Sequence, residues 1–385
     1  MPPKFTPEKR DNDTYETKGL NAKQFQKTFD LIKKAQNKAR RSAKRILTPD
    51  ILRNKKAEQL KKLGAKAKAG GYTVADLVKF EKNRKNRREK YDPSTAGITY
   101  AQIIAGSRKI DVDRANNKVD DGSGITRATL AGFKKNIAII RVKASSISKH
   151  QEHRVELRFE EWDDLVIDPP SGDYIKAAKS AARGRISISC SCGRHHYWYR
   201  YLATMGGYAI TPPAEHAYPK EKNPDLIGVA CKHVLKSVEM CQSIAWHRLM
   251  ATRMQAQSKF VGFSDDKRHS THYLDKEEQK AAAKNRKNKV NQDKARQAHA
   301  AYEKAQEAMA KKLKASGRDT ETVKRQARKL RKQAQQIQDL GQMIKANFNV
   351  FADTYKAQGK TKAQALKDYA KQLDVSENKL KGIVK

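Results

Sequence analysis

Two short pairs, Cys190-Ser191-Cys192 and Cys231-Lys232-His233, constrain this chain more than any other stretch. Together they supply three thiols and one imidazole, the ligand set of a closed tetrahedral zinc site. The first pair ends a run, Arg185-Ile186-Ser187-Ile188-Ser189-Cys190-Ser191-Cys192, that alternates with period two. A strand is expected there, with Ile186, Ile188, Cys190 and Cys192 on one face. The second pair stands just before Val234, Leu235 and Val238, which have helical spacing, so Cys231 and His233 are expected at a helix start. There the unpaired N–H groups and the positive end of the helix dipole favour thiolate. A strand-borne pair facing a helix-borne pair closes the site and leaves no open position, which is the pattern of a structural zinc.

This spacing, with Ser189-Cys190-Ser191-Cys192 and Cys231-Lys232-His233-Val234-Leu235 as its core, resembles the SWIM-type zinc finger over about residues 135–245. The 38 residues between Cys192 and Cys231 exceed the usual gap. Tyr197-Trp198-Tyr199-Arg200-Tyr201, Pro212-Pro213 and Asn223-Pro224 within it are similar to the long insertion of SWIM-like proteins from tailed-bacteriophage genomes. The resemblance implies a structural Zn²⁺ and a role in binding DNA or protein, without an active site. His195 is the chief alternative ligand, with His196 and His216 behind it. Cys241, two helical turns beyond His233, reads as a small buried apolar residue.

Charge sets the class of partner. Lys and Arg number 82 against 42 Asp and Glu, a net charge of +40. Such a chain needs a polyanion, and nucleic acid is the first expectation. Residues 1–90 carry 27 basic and 10 acidic groups, residues 91–260 carry 25 and 17, and residues 261–385 carry 30 and 15. The fold expected is therefore α+β: a small zinc-stapled sheet and helix core flanked by mostly helical basic arms. The divisions are a basic helical arm over 1–92, the core over 93–262, a basic helical hairpin or coiled coil over 263–348, and a small helical unit over 349–385. No apolar leader or membrane span is expected, and four cysteines make no disulfide framework.

Phe25, Phe29, Ile32, Ala39, Ala43 and Ile46 predict a helix from Asn21, with Lys33, Lys34, Arg40, Arg41, Lys44 and Arg45 among its basic residues. A second helix is expected from Thr48-Pro49 to Leu63, and a third opens at the Thr73 to Asp76 capping box and carries Arg84, Lys85, Arg87 and Arg88. Ile98–Ile104 reads as a short helix and Asp111–Gly124 as a loop. Ile137–Val142 and Val155–Phe159 read as strands. In the C-terminal arm one helix ends near Ser316-Gly317. A second pairs an apolar seam through Val323, Ala327, Leu330, Ala334, Ile337 and Ile344 with a basic face of Lys324, Arg325, Arg328, Lys329, Arg331 and Lys332. The last stretch looks like a helix-turn-helix unit with Leu366, Ala370, Val375 and Leu380 inside.

The phosphate-binding residues expected are those named on the N-terminal helices, Arg194 and Arg200 in the insertion, and Lys324, Arg325, Arg328, Lys329 and Lys332. The aromatics at 197–201 read as a packed strand rather than a base-stacking platform. Glu160-Glu161-Trp162-Asp163-Asp164 could hold Mg²⁺ for a nuclease or recombinase, but consecutive carboxylates splay apart. His150 and His153 read as surface histidines.

The function expected is a non-enzymatic, zinc-binding structural protein of a phage-like virion, contacting DNA without strong sequence preference. Its partners would be DNA and portal, capsid or neck proteins, with a coiled coil as a route to a homo-oligomer. It would be made in the host cytoplasm. A regulator reading DNA through the C-terminal unit, cytoplasmic and nucleoid-associated, is the alternative.

Overall fold

The computed structural model describes residues 5–41, 72–92, 94–260, 270–283, 288–315, 343–373 and 375–384. The chain divides into two compact units, one of residues 1–258 with 269–300 and one of 259–268 with 301–385. The fold is mixed α+β, with one antiparallel sheet among the described residues.

The sheet belongs to the first unit. Its strands β1 (Ile98–Thr99), β2 (Ala128–Lys134), β3 (Ile137–Lys143), β4 (Glu152–Phe159), β5 (Arg185–Cys190) and β6 (Thr271–Tyr273) lie in the order β1-β5-β4-β3-β2-β6. The expected strands at 137–142 and 155–159 are β3 and β4. Pleating gives each strand two faces. Through the registers Val142↔His153, Ile140↔Val155 and Val155↔Cys190, one face gathers Ile140, Val142, Val155, Leu157, Phe159, Ile186, Ile188 and Cys190. The other carries Ile139, Arg141, Arg154, Glu156 and Arg158. At Gly132 the register of β2 shifts, and a Cβ there would lie 2.3 Å from the His272 carbonyl oxygen of β6. Only glycine lets β6 close on that edge.

Helix α1 (Ala22–Arg41) covers the second face. Its stripe of Phe25, Phe29 and Ile32 is buried against Tyr15 and Leu20, and Ala22 meets Ala131 and Ile139. The Arg141 and Arg154 guanidiniums lie over the rings of Phe25 and Phe29 at 4.4 and 5.0 Å from the centroids, so this face is held by cation–π contact as well as burial. Helix α2 (Val74–Arg88) opens with the expected capping box at Thr73 and Asp76 and buries Leu77 and Phe80. The expected helix at 48–63 lies outside the described residues.

Between β1 and β2 run α3 (Tyr100–Ala105) and α4 (Lys109–Ala115). The expected short helix therefore begins two residues late, after the β1 pairing of Ile98 with Ile186. Part of the expected Asp111–Gly124 loop is helix α4, because Asp111, Val112 and Ala115 form a buried stripe. After β4 come α5 (Trp162–Ile167) and α6 (Tyr174–Arg183), then β5 and the 193–230 segment. Helix α7 (Arg200–Met205) lies inside that segment, and α8 (Lys232–Met240) follows it on the first sheet face. Every residue of α8 from His233 to Met240 is buried. Three of its buried polar side chains are partnered within the unit: Tyr100 Oη donates to Glu239 at 2.5 Å, Lys236 Nζ donates to the Asn288 carbonyl at 3.2 Å, and Ser237 Oγ donates to the His233 carbonyl.

Helix α9 (Ile244–Ser258) packs on the alanine face of α6, and α10 (Lys276–Ala283) and α11 (Gln292–Ala315) follow. In the second unit, a helix at 343–357 (α12), α13 (Lys362–Gln372) and α14 (Glu377–Val384) enclose Phe348, Ala365, Leu366, Ala370 and Leu380. Val375 is 36% exposed and is not one of the inner residues. The expected seam and basic face from Val323 to Ile337 lie outside the described residues. No helix among the described residues is long and apolar enough to cross a membrane.

Candidate metal centre

Strand β5 delivers Cys190 to the end of the first sheet face, opposite Val155, and the chain then leaves the sheet. Cys192 lies just past the strand end, not on its face as alternation predicts, and a turn brings its thiol back to Cys190. The turn is set by sulfur-directed backbone amides: Cys192 N–H donates to Cys190 Sγ at 3.5 Å and His195 N–H to Cys192 Sγ at 3.2 Å. Cys231 is the N-cap of α8, and His233 sits in its first turn, with Nδ1 4.0 Å from Cys231 Sγ. Cys190, Cys192, Cys231 and His233 offer donor atoms all within 4.8 Å of one another, and all four residues are buried. Tetrahedral zinc thiolates stand roughly 3.8 Å apart, from Zn–S bonds of about 2.3 Å. The donors need contract by only about 1 Å to close on such an ion.

The electrostatics suit a cation. Burial pushes the Cys190 thiol well above the ordinary value. Cys192 is buried as deeply, yet hydrogen bonds from Cys190, Cys231 and the His195 amide, with the Lys232 charge, bring it well below. The three thiols thus form one hydrogen-bonded cluster. His233 Nε2 is buried without a hydrogen-bond partner. The donors fit a soft, tetrahedral metal ion.

The surrounding shell is more elaborate than the sequence foretold. His153, expected at the surface, is buried on the same sheet face as Cys190, its ring centroid 4.4 Å from that of His233. Burial, then the His233 charge, lowers its pKa well below the usual imidazole value. Period-two alternation along β4 points it inward with Val155. Lys232, between the two helix ligands, donates through Nζ to the Ser123 carbonyl at 2.6 Å and to Ser145 Oγ at 3.2 Å. His195 is buried beside the site, its pKa lowered to about 4 chiefly by burial, and Nδ1 has no hydrogen-bond partner.

A buried acid braces the start of the insertion. Asp111 of α4 accepts a hydrogen bond from Tyr199 Oη at 2.6 Å and lies 3.1 Å from Arg194 Nε. Burial raises its carboxyl above the usual range, against the pull of Tyr199 and Arg194. No local sequence signal marks Asp111, because its partners lie more than 80 residues away. The stretch expected as a packed strand is a π-helical turn, His195–Tyr199, running into α7. Its aromatics are largely core all the same: Tyr199 and Tyr201 are buried, while Tyr197 is 60% exposed. The rest of the insertion is tied to α2, with Phe80 stacked 4.8 Å from Tyr218 and Asn83 Nδ2 donating to the Pro224 carbonyl.

The expected phosphate contacts fare unequally. Arg84 is paired with Glu81 at 2.5 Å, Arg87 donates to the Gly228 carbonyl at 2.6 Å, and Arg194 is held by Asp111 and Trp198. Arg200 is buried and donates to the Pro213 carbonyl at 3.2 Å. Each of these four guanidiniums has a partner within the unit. Lys34, Lys85 and Arg88 are exposed and Lys33 is half-buried. Lys44, Arg45, Lys324, Arg325, Arg328, Lys329 and Lys332 lie outside the described residues, as do the side chains of Arg40 and Arg41. The acidic run splays: Glu160 accepts from Arg158 and Ser187, Glu161 pairs with Arg185 at 3.2 Å, and Asp163 pairs with Lys135 at 3.7 Å.

Compared with protein-family models, curated proteins and solved structures, this chain finds no match.

Proposed function

We propose that Cys190, Cys192, Cys231 and His233 hold one structural Zn²⁺, and that the chain is a non-enzymatic protein that binds DNA through Lys and Arg contacts to phosphate. The observation that carries this reading is the conjunction of a buried, closed donor set with a net charge of +40. A four-donor site with no open position stabilises a fold but offers no place for a substrate. The metal, when bound, supplies cross-linking of β5 to α8. The chain's own residues do the rest, with Lys232 and the Asp111 cluster fixing the segments that enter and leave the site.

The surplus of positive charge requires a polyanion, and the phage-type resemblance of the insertion supports DNA inside a virion of tailed-phage kind. Exposed Lys34, Lys85 and Arg88 are the described members of the contact set. The test is duplex binding by the full chain as salt is raised. Each phosphate neutralised contributes roughly 0.9 to the slope of log affinity against log salt. A steep fall that does not depend on duplex sequence is expected, together with co-sedimentation of the native protein with virions. A flat salt response would remove the phosphate reading. A footprint on one operator, absent on random DNA, would transfer the role to sequence-specific regulation.

A further inference from the structure

A concave surface of about 720 Å³ lies where residues 10–19, the start of β2, the end of β3 and the 144–151 loop meet. That size is within the range of small-ligand sites, roughly 300–1,000 Å³. Its charged lining is one-sided: Arg10, Lys18, Arg127, Arg141 and Lys143 face a single carboxylate among the described lining residues, Glu152. Glu152 is taken up by Arg141 at 2.5 Å, and Arg141 is spent further on the carbonyls of Thr17 and Leu20. Arg10 reaches the Lys149 carbonyl at 3.2 Å and Glu16 at 3.9 Å.

Lys143 stands opposite Glu152 in the β3–β4 register, so it shares with Arg141 that one carboxylate, and no second carboxylate lines the surface for Lys18 and Arg127. The Lys143 amide donates to the Arg127 carbonyl at 2.9 Å, continuing the register Ala128↔Val142, so Arg127 and Lys143 stand directly opposite on one face. Like charges in that position repel. Both are exposed, as is Lys18, and none of the three side chains has a hydrogen bond or ion pair among the described residues. Ser145 and Ser148 line the same surface. Ser145 Oγ accepts from Lys232 Nζ, and Ser148 Oγ accepts from the His150 amide, so each keeps its own O–H to give. The walls are pinned before any ligand arrives, since Gln151 Oε1 accepts from the amides of Thr17 and Lys18 at 3.0 and 3.1 Å.

We propose that this cavity is a phosphate-binding site, with Lys18, Arg127 and Lys143 supplying the charge and the Ser148 hydroxyl a further donor. A cross-strand pair of cations whose one neighbouring carboxylate, Glu152, is already paired with Arg141 is relieved by an anion with several acceptor oxygens, and phosphate has that form. The phosphate could belong to a polynucleotide backbone or to a free phosphate compound. Only the first source rests on the DNA-binding reading above; the site itself does not.

The test uses the full-length, metal-replete chain and two probes, inorganic pyrophosphate by calorimetry and a short DNA duplex by fluorescence anisotropy. The variant Lys18→Gln/Arg127→Gln/Lys143→Gln is compared with Lys176→Gln/Lys179→Gln/Lys222→Gln, which removes equal charge from exposed positions elsewhere. The cavity variant is expected to weaken pyrophosphate at least about tenfold and to make the duplex salt slope shallower by about 2 to 3. The control variant should change either affinity less than about threefold. Loss of pyrophosphate binding with the duplex unbound or unaffected would keep the site and assign it a free phosphate compound. Equal weakening by both variants, unchanged pyrophosphate affinity in the cavity variant, or no pyrophosphate binding by the unaltered chain would overturn the proposal.

Discussion

At the scale of single residues, the four candidate metal donors differ in what their loss should do from the fourth cysteine nearby. Cys231 caps α8 and contributes one of three thiols, so Cys231→Ser removes a ligand and leaves two buried thiols and an imidazole without a fourth donor. On the zinc reading proposed above, binding energy at such a site is folding energy, so that variant is expected to lose bound metal and the cooperative unfolding of the first unit together. Cys241, fully buried at the C-terminal end of α8, lies outside the donor set. Cys241→Ser should retain one Zn²⁺ per chain while losing about 1–3 kcal/mol, since its hydroxyl must be buried in place of a thiol. Metal analysis by plasma emission with thermal melts of both variants separates the roles; full metal content in Cys231→Ser would sink the ligand assignment. The donors themselves were legible because an i, i+2 pair repeats. Their supports were not: Lys232, His153 and Asp111 act through partners far away in the chain, and spacing cannot show that.

At the scale of elements, α8 governs the first unit. It is buried on all sides, so its charged residues must be satisfied inside the protein. Glu239 is the critical one: burial raises its pKa, and the Tyr100 hydroxyl and the Lys236 charge oppose that rise. Tyr100→Phe removes the donor and leaves the carboxylate underpaired, which should cost about 1–3 kcal/mol at pH 7. A carboxyl whose folded pKa lies above its unfolded value takes up its proton more readily when folded. Its deficit is therefore largest at neutral pH and shrinks as acid protonates it. Denaturant melts of the wild type and Tyr100→Phe should converge as pH falls toward that raised pKa; a gap that widens would refute the argument.

Elements with one dominant periodicity were readable beforehand. Alternation fixed β3, β4 and β5, and the Thr73–Asp76 box fixed the start of α2. The 195–201 stretch misled because Tyr197, Tyr199 and Tyr201 alternate as strand residues do. The chain there is turned into a π-helix by the Cys192 thiol, which accepts the His195 amide, and by the Tyr199 bond to Asp111. A local pattern carries no trace of either constraint.

At the scale of the whole molecule, the Cys/His cluster and the C-terminal helices belong to different compact units, and on the zinc reading this has an observable consequence. The first unit has strand β5 and helix α8 joined at the donor set across the 38-residue insertion. The second has its own apolar cluster, Phe348, Ala365, Leu366, Ala370 and Leu380, with Phe351, Tyr355 and Tyr369 packed against it and no cysteine or histidine donor. Removing metal therefore withdraws stabilisation from one unit alone. A strong chelator should lower the thermal transition of the first unit by many degrees, since a structural zinc contributes on the order of 10 kcal/mol at neutral pH. The helical signal of 343–384 is expected to melt at its unaltered temperature, because no cysteine or histidine lies in that stretch to hold the metal. Hydrogen exchange followed by mass spectrometry reads both units in one sample: protection should vanish across 185–240 and persist across 348–380. Simultaneous loss of protection in both would show that the two units fold as one, and would place the metal at the centre of the whole chain rather than of its sheet.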